Sequence, residues 1–529
     1  ESTYVFALES VSGQANMLAE FEALGDYHLA EDYLNRLYRV TEEDIWRVAN
    51  DYFTLNNGSL LEYLPKSSGV KPSSRVAMAS AFEKSLDAKT SPHRSKSEQR
   101  ALPHEIFSVI SGNGCDKEIR RYKLSNGMTI LIKENHQIPL VSVGVFAKGG
   151  RCHENPENAG ISALTLRTAL KGTRNRKASE IALAIENLGS AIHFSNDPDY
   201  VSYSMNILSK NFNAGFEILA DIITDPTFPE QEVTKEKENT QALILREKDD
   251  MFHYPLTLFY SALFKNHAYG LPSHGTVQSI TNLTPEDLGS WHHYHFAPDN
   301  ITVVLVGDVE SNAVRDLIEK RLRRLNSYQN DLMMKSDLTR PTKIETRIEA
   351  GDKEQTALVL GFWGPKYTDE DFYSLTVLQN VISGLGGRFF EELRGRQSLA
   401  YTVTAFLASR LYGGAFISYI ATTPENEKRA KEGLIKEFNR LIKSPISEEE
   451  LKRAIQYTVG THQIGLETYR AQMFQYALNE NLGKGVEEIQ LFPEKIEKVT
   501  IEDIISAAQK YFDLSRYALG MVQGKRPRN

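Results

Sequence analysis

The sequence predicts an α+β fold made of tandem mixed α/β sandwich repeats, and three observations support this fold class. A capped helix signature occurs at residues 40–53, 283–296 and 499–512. A β-like run follows each copy, and further strand-like runs stand among helical segments elsewhere. The last two copies are separated by far more than a solenoid period of ~20–50 residues. The repeating units are therefore large domains with helices grouped around mixed strands.

The three helix signatures begin and end alike. Thr41, Thr284 and Thr500 stand at the N-cap position, and acidic residues fill the first turn that follows. Apolar residues then recur at helical spacing, and an aromatic pair ends each helix. The β-like runs after them are residues 59–64, 301–306 and 517–522. Residues 8–14 also resemble residues 466–472, so we interpret the start of the chain as the end of one repeat that precedes two complete repeats.

Composition narrows the class of protein. The chain has 529 residues, of which 41% are hydrophobic and 25% charged, as expected of a globular protein. A net charge of −8 argues against a dedicated nucleic-acid-binding protein. No run approaches the ~18 apolar residues of a membrane span. Two cysteines, Cys115 and Cys152, exclude a disulfide framework and a multi-cysteine zinc site.

The repeats and the composition divide the chain into four predicted parts. Residues 1–65 are the C-terminal tail of a preceding repeat, and residues 66–118 are a flexible basic linker. Residues 119–335 and 336–529 are the two complete repeats. Residues 66–100 hold nine Ser and eight Lys or Arg against three Asp or Glu, which favours a solvated spacer over a segment that binds lipid or nucleic acid. The charged opening at Glu1 is not a secretory signal, and we interpret the chain as a piece of a longer protein.

Both repeats show the same order of strands and helices. The strongest hairpin signal is Asn126-Gly127, which separates two β runs within residues 119–134. In the first repeat we predict a strand at 140–146 and helices at 160–171, 179–187 and 212–223. In the second repeat we predict strands at 344–348, 356–362, 401–407 and 415–421, and helices at 369–383, 388–393, 425–443 and 447–475.

Residues 149–173, GGRCHENPENAGISALTLRTALKGT, carry the resemblance that bears on function. This segment resembles the pitrilysin/insulinase-type zinc peptidases, the inverted zincins, whose equivalent helix holds H-x-x-E-H between Gly-Gly and Lys-Gly-Thr. The resemblance places Ala163 and Arg167 at the two zinc-binding histidines, Leu166 at the catalytic glutamate and Leu243 at the third zinc ligand. None of these four side chains binds zinc or accepts a proton. We therefore predict a degenerate site with no metal and no cofactor in this chain.

The histidines do not offer an alternative metal site. His292, His293 and His295 lie close together in the second capped helix. Adjacent residues of a helix point in different directions, so we expect ordinary surface or half-buried histidines here. His462 is isolated and is interpreted in the same way.

A second segment matches the same family. In residues 384–401, GLGGRFFEELRGRQSLAY, Tyr401 follows Arg394 by seven positions. The family resemblance implies that this pair faces the zinc from the opposite half and donates to the substrate carbonyl. Local rules also explain both residues, as a cation near the end of a helix and an aromatic residue in a strand. Arg388 and Arg396 are less specific and are interpreted as peptide-contacting or surface charges.

The resemblance implies a function for the whole chain. We expect the substrate-binding, non-zinc half of a zinc metalloendopeptidase, with zinc on an N-terminal half of the parent protein or on a companion subunit. The substrate is an unfolded peptide held along a sheet edge in a closed chamber, and Arg394 and Tyr401 contact it. The alternative is a wholly non-catalytic structural or regulatory subunit of the same fold. Neither a nucleic-acid partner nor a membrane span is expected, and the compartment stays open.

Overall fold

The computed structural model describes residues 1–54, 57–59, 61, 118–325 and 338–525. They divide into two compact units. The larger unit contains residues 2–10 and the chain from residue 113 onward, and the smaller unit contains Glu1 and residues 11–112. The predicted linker at 66–118 lies outside the described residues except at its last position. Most of the predicted strand at 59–64 lies outside them as well.

The N-terminal residues form four short helices. Helix α1 (Ser2–Ala7) belongs to the larger unit, and α2 (Val11–Ala23), α3 (Leu29–Tyr38) and α4 (Glu42–Tyr52) belong to the smaller one. Helix α4 begins with a capping box in which the Thr41 hydroxyl accepts a hydrogen bond from the backbone N–H of Asp44 and the Asp44 carboxylate accepts one from the N–H of Thr41. This confirms the predicted N-cap.

A six-stranded sheet forms the first repeat of the larger unit. Its strand order is β1-β2-β6-β3-β5-β4, with only the β2–β6 pair parallel. Gly127 closes the β1–β2 hairpin with a φ of 93°, a left-handed conformation that favours glycine, so the predicted hairpin is confirmed. The strands are β1 (Arg120–Lys123), β2 (Thr129–Glu134), β3 (Leu140–Lys148), β4 (Ile192–Asn196), β5 (Tyr200–Leu208) and β6 (Ile301–Gly307).

Eight helices belong to this repeat in the described part of the chain. One face of the sheet packs against several of them and forms a continuous apolar core, which includes Ile130, Val143, Leu166 and Phe216. The helices are α5 (Ile161–Ala169), α6 (Ala178–Asn187), α7 (Phe212–Thr224), α8 (Glu230–Glu247), α9 (His253–Leu263), α10 (Val277–Asn282), α11 (Pro285–His295) and α12 (Ser311–Leu322).

The second repeat contains a five-stranded sheet with the order β7-β11-β8-β10-β9. Apart from β1, this order repeats that of the first sheet, and the β7–β11 pair is again parallel. Mixed sheets with helices against them confirm the predicted α+β class. The strands are β7 (Glu345–Ala350), β8 (Thr356–Gly364), β9 (Thr402–Ala408), β10 (Gly414–Thr422) and β11 (Ala518–Gln523).

Two helix predictions in the second repeat need correction. The single helix predicted at 447–475 is two helices, because the chain leaves the helix at Leu466 and restarts at Thr468, whose side chain caps the next helix. The helix predicted at 388–393 is a π-helical segment, Phe390–Arg396. The remaining helices are α13 (Asp371–Ile382), α14 (Glu427–Lys443), α15 (Glu448–Gly465), α16 (Tyr469–Asn481), α17 (Glu488–Glu497) and α18 (Ile501–Tyr511).

The two repeats exchange one helix each. Helix α9 of the first repeat packs on the outer face of the second sheet, where Phe259 lies among Val359, Ile417 and Ala518. Helix α16 of the second repeat packs on the outer face of the first sheet in the same way. Both faces of the central strands are therefore covered, which explains why every residue of β10 is buried.

Candidate functional site

Helix α5 carries Ala163, Leu166 and Arg167, three of the four positions that the family resemblance assigns to zinc-peptidase catalytic residues. The Ala163 and Leu166 side chains are buried, and Leu166 belongs to the apolar core of the first repeat. Both contribute to packing and offer no atom that binds a cation. Arg167 lies at the edge of this core and is partly exposed.

Arg167 pairs with an acidic residue of α8. Its Nε atom lies 3.8 Å from the Glu236 carboxylate, and the Lys171 ammonium lies 3.5 Å from the same carboxylate. Glu236 is almost fully buried, so the two cations neutralise a charge that is shielded from water. Leu243, about two turns further along α8 than Glu236, lines a cavity of about 710 Å³ together with Arg151 and His274.

This set of side chains does not fit zinc. Zinc requires imidazole, thiolate or carboxylate ligands, whereas the four corresponding positions hold an alanine, two leucines and an arginine. The nearby Glu236 carboxylate already has two cations beside it. Across residues 1–54, 118–325 and 338–525, no group of three His, Cys, Asp or Glu residues is placed to hold a metal ion.

Glu154 positions the start of α5, and sequence reasoning missed it. Its carboxylate accepts hydrogen bonds from the backbone N–H of Gly160 at 2.8 Å and of Ser162 at 3.1 Å, and from the Ser162 hydroxyl. Burial raises the pKa of this carboxyl group, and the bonds from Gly160 and Ser162 oppose that rise. The sequence feature that could have predicted this role is an acidic residue six positions before the glycine at which the helix begins.

The clustered histidines are more buried than predicted. His292 and His295 are buried, whereas His293 is exposed. The Nδ1 atom of His295 lies 2.9 Å from the Trp291 carbonyl, and its Nε2 atom lies 2.9 Å from Nδ1 of His153. The expectation of surface or half-buried residues is therefore wrong for two of the three, because the helix turns them into the repeat's interior.

These buried histidines predict acid sensitivity. Burial lowers the pKa of His292 and of His295 from 6.5 to about 3. Between these values the unfolded chain binds protons that the folded chain does not, so stability is complete above pH ~6.5 and falls as the pH falls toward 3. We expect the urea midpoint to fall between pH 7 and pH 4.5. In His292→Leu the urea midpoint should fall less over this pH range, because one of the two buried histidines no longer takes up a proton on unfolding. If the urea midpoints of the variant and the wild type fell equally with pH, His292 would not be a source of the acid sensitivity.

Arg394 and Tyr401 lie in the second repeat, and both are exposed. Arg394 is in the π-helical segment, where its guanidinium lies 4.7 Å from the centre of the Phe390 ring. Tyr401 directly precedes β9, and its backbone N–H donates to the Ala421 carbonyl. Tyr401 is 60% exposed as a whole residue.

The three arginines of this segment differ in their ion pairs. Arg388 makes a two-bond contact with Glu450, at 2.6 and 2.7 Å. Arg396 pairs with Glu391 and Glu392. Arg394 makes no ion pair with any described residue, so its charge is available for an external group.

Strands β9 and β4 each lie at an edge of their sheet. The outer edge of β9 is partly occupied by α13, because Ser383 Oγ bonds to both the N–H and the carbonyl of Ala405, and Gln379 accepts from the N–H of Leu407. Among the described strands, β4 pairs with β5 alone, and it contacts helix α5. Its outer edge has no strand beside it among the described residues, so β4 is the more accessible edge.

Comparisons with known proteins agree with this architecture. The family model described as "Insulinase (Peptidase family M16)" matches residues 129–277, and "Peptidase M16 inactive domain" matches residues 282–457. A Bacillus subtilis protein named as the uncharacterized zinc protease YmxG is 26% identical over 408 residues, which cover 76% of this chain and 98% of that protein. An uncharacterized zinc protease of Rickettsia felis is also 26% identical and covers 74% of this chain and 94% of its own length.

Solved structures show the same fold. A peptidase M16 inactive domain from Pseudomonas fluorescens superposes with a TM-score of 0.72 at 18% identity, covering 78% of this chain and all of that one. A protease from Helicobacter pylori gives 0.72 at 19% identity, covering 77% of this chain and all of that one. The chain belongs to the insulinase family of peptidases, family M16. In the part of the chain that the structure describes, no helix is long and apolar enough to cross a membrane.

Proposed function

We propose that this chain is the substrate-binding, non-zinc half of a zinc metalloendopeptidase that degrades or processes peptides in a closed chamber. The observation that carries the proposal is the state of Arg394, which is exposed, free of ion pairs among the described residues and followed by an exposed Tyr401. A surface arginine without a carboxylate partner among the described residues is suited to hold an external carbonyl or carboxylate group, and an exposed phenol can donate to the same kind of group.

Each of the two side chains has a defined role in this proposal. The Arg394 guanidinium remains charged at all accessible pH values and presents several N–H donors. The Tyr401 hydroxyl adds one further donor. Together they stabilise the negative charge that develops on the carbonyl oxygen of the scissile peptide bond. In this proposal the zinc and the base that activates water belong to another polypeptide segment; the relatives' names, which call them zinc proteases, support zinc in the family.

Strand β4 supplies the main-chain part of the substrate site. An extended peptide that adds to the outer edge of β4 satisfies the edge N–H and carbonyl groups, and such binding depends little on side-chain sequence. The degenerate helix α5 contacts β4, so a peptide there lies beside the Ala163–Arg167 positions without being cleaved. The chain would thus hold substrate while the other half performs the chemistry.

The isolated chain should bind an unfolded peptide and leave it intact. We expect a saturable rise in fluorescence anisotropy of a labelled flexible peptide, and no cleavage products by mass spectrometry with or without added zinc. The same peptide closed into a small ring serves as the control, because it cannot extend along a strand edge and should bind more weakly. Cleavage that a chelator stops would contradict the proposal.

A further inference from the structure

The three helices of the smaller unit match the last three helices of the larger unit. Helices α2 and α16 are both 13 residues long, α3 and α17 are both 10, and α4 and α18 are both 11. Helices α4 and α18 begin with the same capping box, at Thr41 and Thr500, and α11 begins with it at Thr284. The order, lengths and caps together identify the smaller unit as the closing segment of another repeat.

The identity between α4 and α18 is concentrated on one face. Five positions that are buried in the second repeat carry the same residue in the N-terminal segment, and a sixth changes from alanine to Val48. The five pairs are Val40 and Val499, Ile45 and Ile504, Ala49 and Ala508, Tyr52 and Tyr511, and Phe53 and Phe512. By contrast, the half-buried Ile501 and Ile505 of α18 correspond to Glu42 and Trp46. Sequence is therefore shared where a core must be filled.

The residues that α4 and α18 share on this face are buried in α18 and exposed in α4. Ile504 is 2% exposed and Ile45 is 63% exposed, while Phe512 is 2% exposed and Phe53 is 66% exposed. Helix α11 of the first repeat agrees with α18, since Leu288, Trp291 and Phe296 at the equivalent positions are buried. We call Ile45, Val48, Tyr52 and Phe53 the closing face of α4. Four large apolar residues on one open helix face require a covering surface.

The second repeat shows what kind of surface covers such a face. Phe512 lies 5.2 Å from Phe362 of β8, 4.9 Å from Phe416 of β10 and 5.0 Å from Phe438 of α14, measured between ring centres. Both repeats within residues 118–525 already have their own closing helix in place, α11 and α18. Neither has this position vacant for α4.

Helix α2 also has apolar residues that are exposed although their counterparts in the second repeat are buried. Its counterpart α16 covers the outer face of the first sheet, with Tyr476 and Ala477 buried there. The corresponding residues of α2, Leu18 and Ala19, are exposed. The smaller unit thus has two apolar faces, one that matches the inside of a repeat and one that matches the outside of a neighbouring sheet.

We propose that the closing face of α4 docks into a further peptidase repeat on a polypeptide other than residues 118–525, one that lacks its own closing helix. The partner surface consists of sheet and helix residues that form an aromatic layer like the Phe362, Phe416 and Phe438 layer. Helix α2 covers the outer face of the sheet in the repeat that adjoins it. This inference rests on the repeated helices and does not depend on peptide binding or on Arg394.

The second repeat of this chain can test whether the α4 sequence fits the place of a closing helix. In the intact chain, α18 is given the sequence of α4 by Ile501→Glu, Ile505→Trp, Ser506→Arg, Ala507→Val and Gln509→Asn, so that Val48 of the closing face is represented at the buried Ala507. Lys510 is kept, because it contacts Asp371. We expect a folded protein whose Tm lies within ~5 °C of wild type. The matched control adds Ile504→Glu, which places a charge in the core and should lower Tm by ~10 °C or more. A graft that unfolds the second repeat would overturn the proposal.

A second experiment asks whether the closing face of α4 is open in the intact chain. Ile45→Glu is compared with Ile504→Glu by thermal unfolding and by sedimentation velocity. We expect Ile45→Glu to leave Tm and the sedimentation coefficient unchanged, because the residue is already in water. An equal loss of stability in the two variants would overturn the proposal, since the face would then be covered within the chain. A dimer that Ile45→Glu dissociates would also overturn it, because the occupant would be a second copy.

Discussion

Arg394→Ala is expected to lower kcat for peptide hydrolysis by ~10²–10³-fold when the chain is combined with the zinc-bearing half, because a donor to the developing oxyanion is lost. The substrate is bound before the charge develops, so KM should change much less than kcat. The measurement is steady-state hydrolysis of an internally quenched peptide by the combined halves. Tyr401→Phe, which removes a single hydroxyl group, should give a smaller loss in the same assay.

Arg396→Ala is the matched control for this prediction. Arg396 lies two positions away in the same π-helical segment and is exposed, but its guanidinium is paired with Glu391 and Glu392. Its removal should change kcat by about twofold or less, as for an ordinary surface substitution. Equal kcat values for Arg394→Ala and the wild type would contradict the catalytic role. They would favour a wholly non-catalytic structural or regulatory subunit.

Gly520→Ala is expected to destabilise the larger unit by about 3 kcal/mol, an overpacking cost at the upper end of the usual range. Gly520 lies in β11 where helix α9 of the other repeat crosses the sheet. A Cβ atom there would lie 2.2 Å from the backbone nitrogen of Phe259 and 2.3 Å from the carbonyl oxygen of Pro255. Backbone atoms on both sides leave no side chain that can move away, so the helix itself must shift.

Urea unfolding monitored by far-UV circular dichroism measures this change, with Gly460→Ala as the control. Gly460 lies inside α15, and a Cβ atom there meets nothing within 4 Å. Alanine should stabilise that helix by ~0.5–1 kcal/mol, because glycine is the poorer helix former. If Gly520→Ala left the urea midpoint unchanged, the close packing of α9 on β11 would be contradicted.

Local signals in the sequence were sufficient for most of the elements. The threonine caps at Thr41, Thr284 and Thr500 each form the capping box that their acidic first turns predict. The Asn126-Gly127 pair forms the hairpin, since only the two flanking runs and a left-handed glycine are required. The repeats followed from comparing the sequence with itself. Such features depend on residues that are neighbours along the chain.

Features that depend on distant residues were not predictable in the same way. Helix α9 was not predicted from the sequence, and nothing local to residues 253–263 indicates that they pack on the sheet of the other repeat. The burial of His292 and His295 depends on which face of α11 meets the sheet. The absence of zinc ligands at Ala163, Leu166, Arg167 and Leu243 could be predicted by aligning the sequence with the family motif. The pairing of Arg167 and Lys171 with Glu236 could not, because it joins two helices far apart in sequence.

The exchange of α9 and α16 has a consequence for separating the two repeats. Each repeat depends on its neighbour for the helix that covers the outer face of its sheet, so separating the two repeats would expose that apolar face in both. The second repeat would therefore need the first repeat for helix α9, even though the Ala163, Leu166 and Arg167 side chains of α5 do not bind zinc.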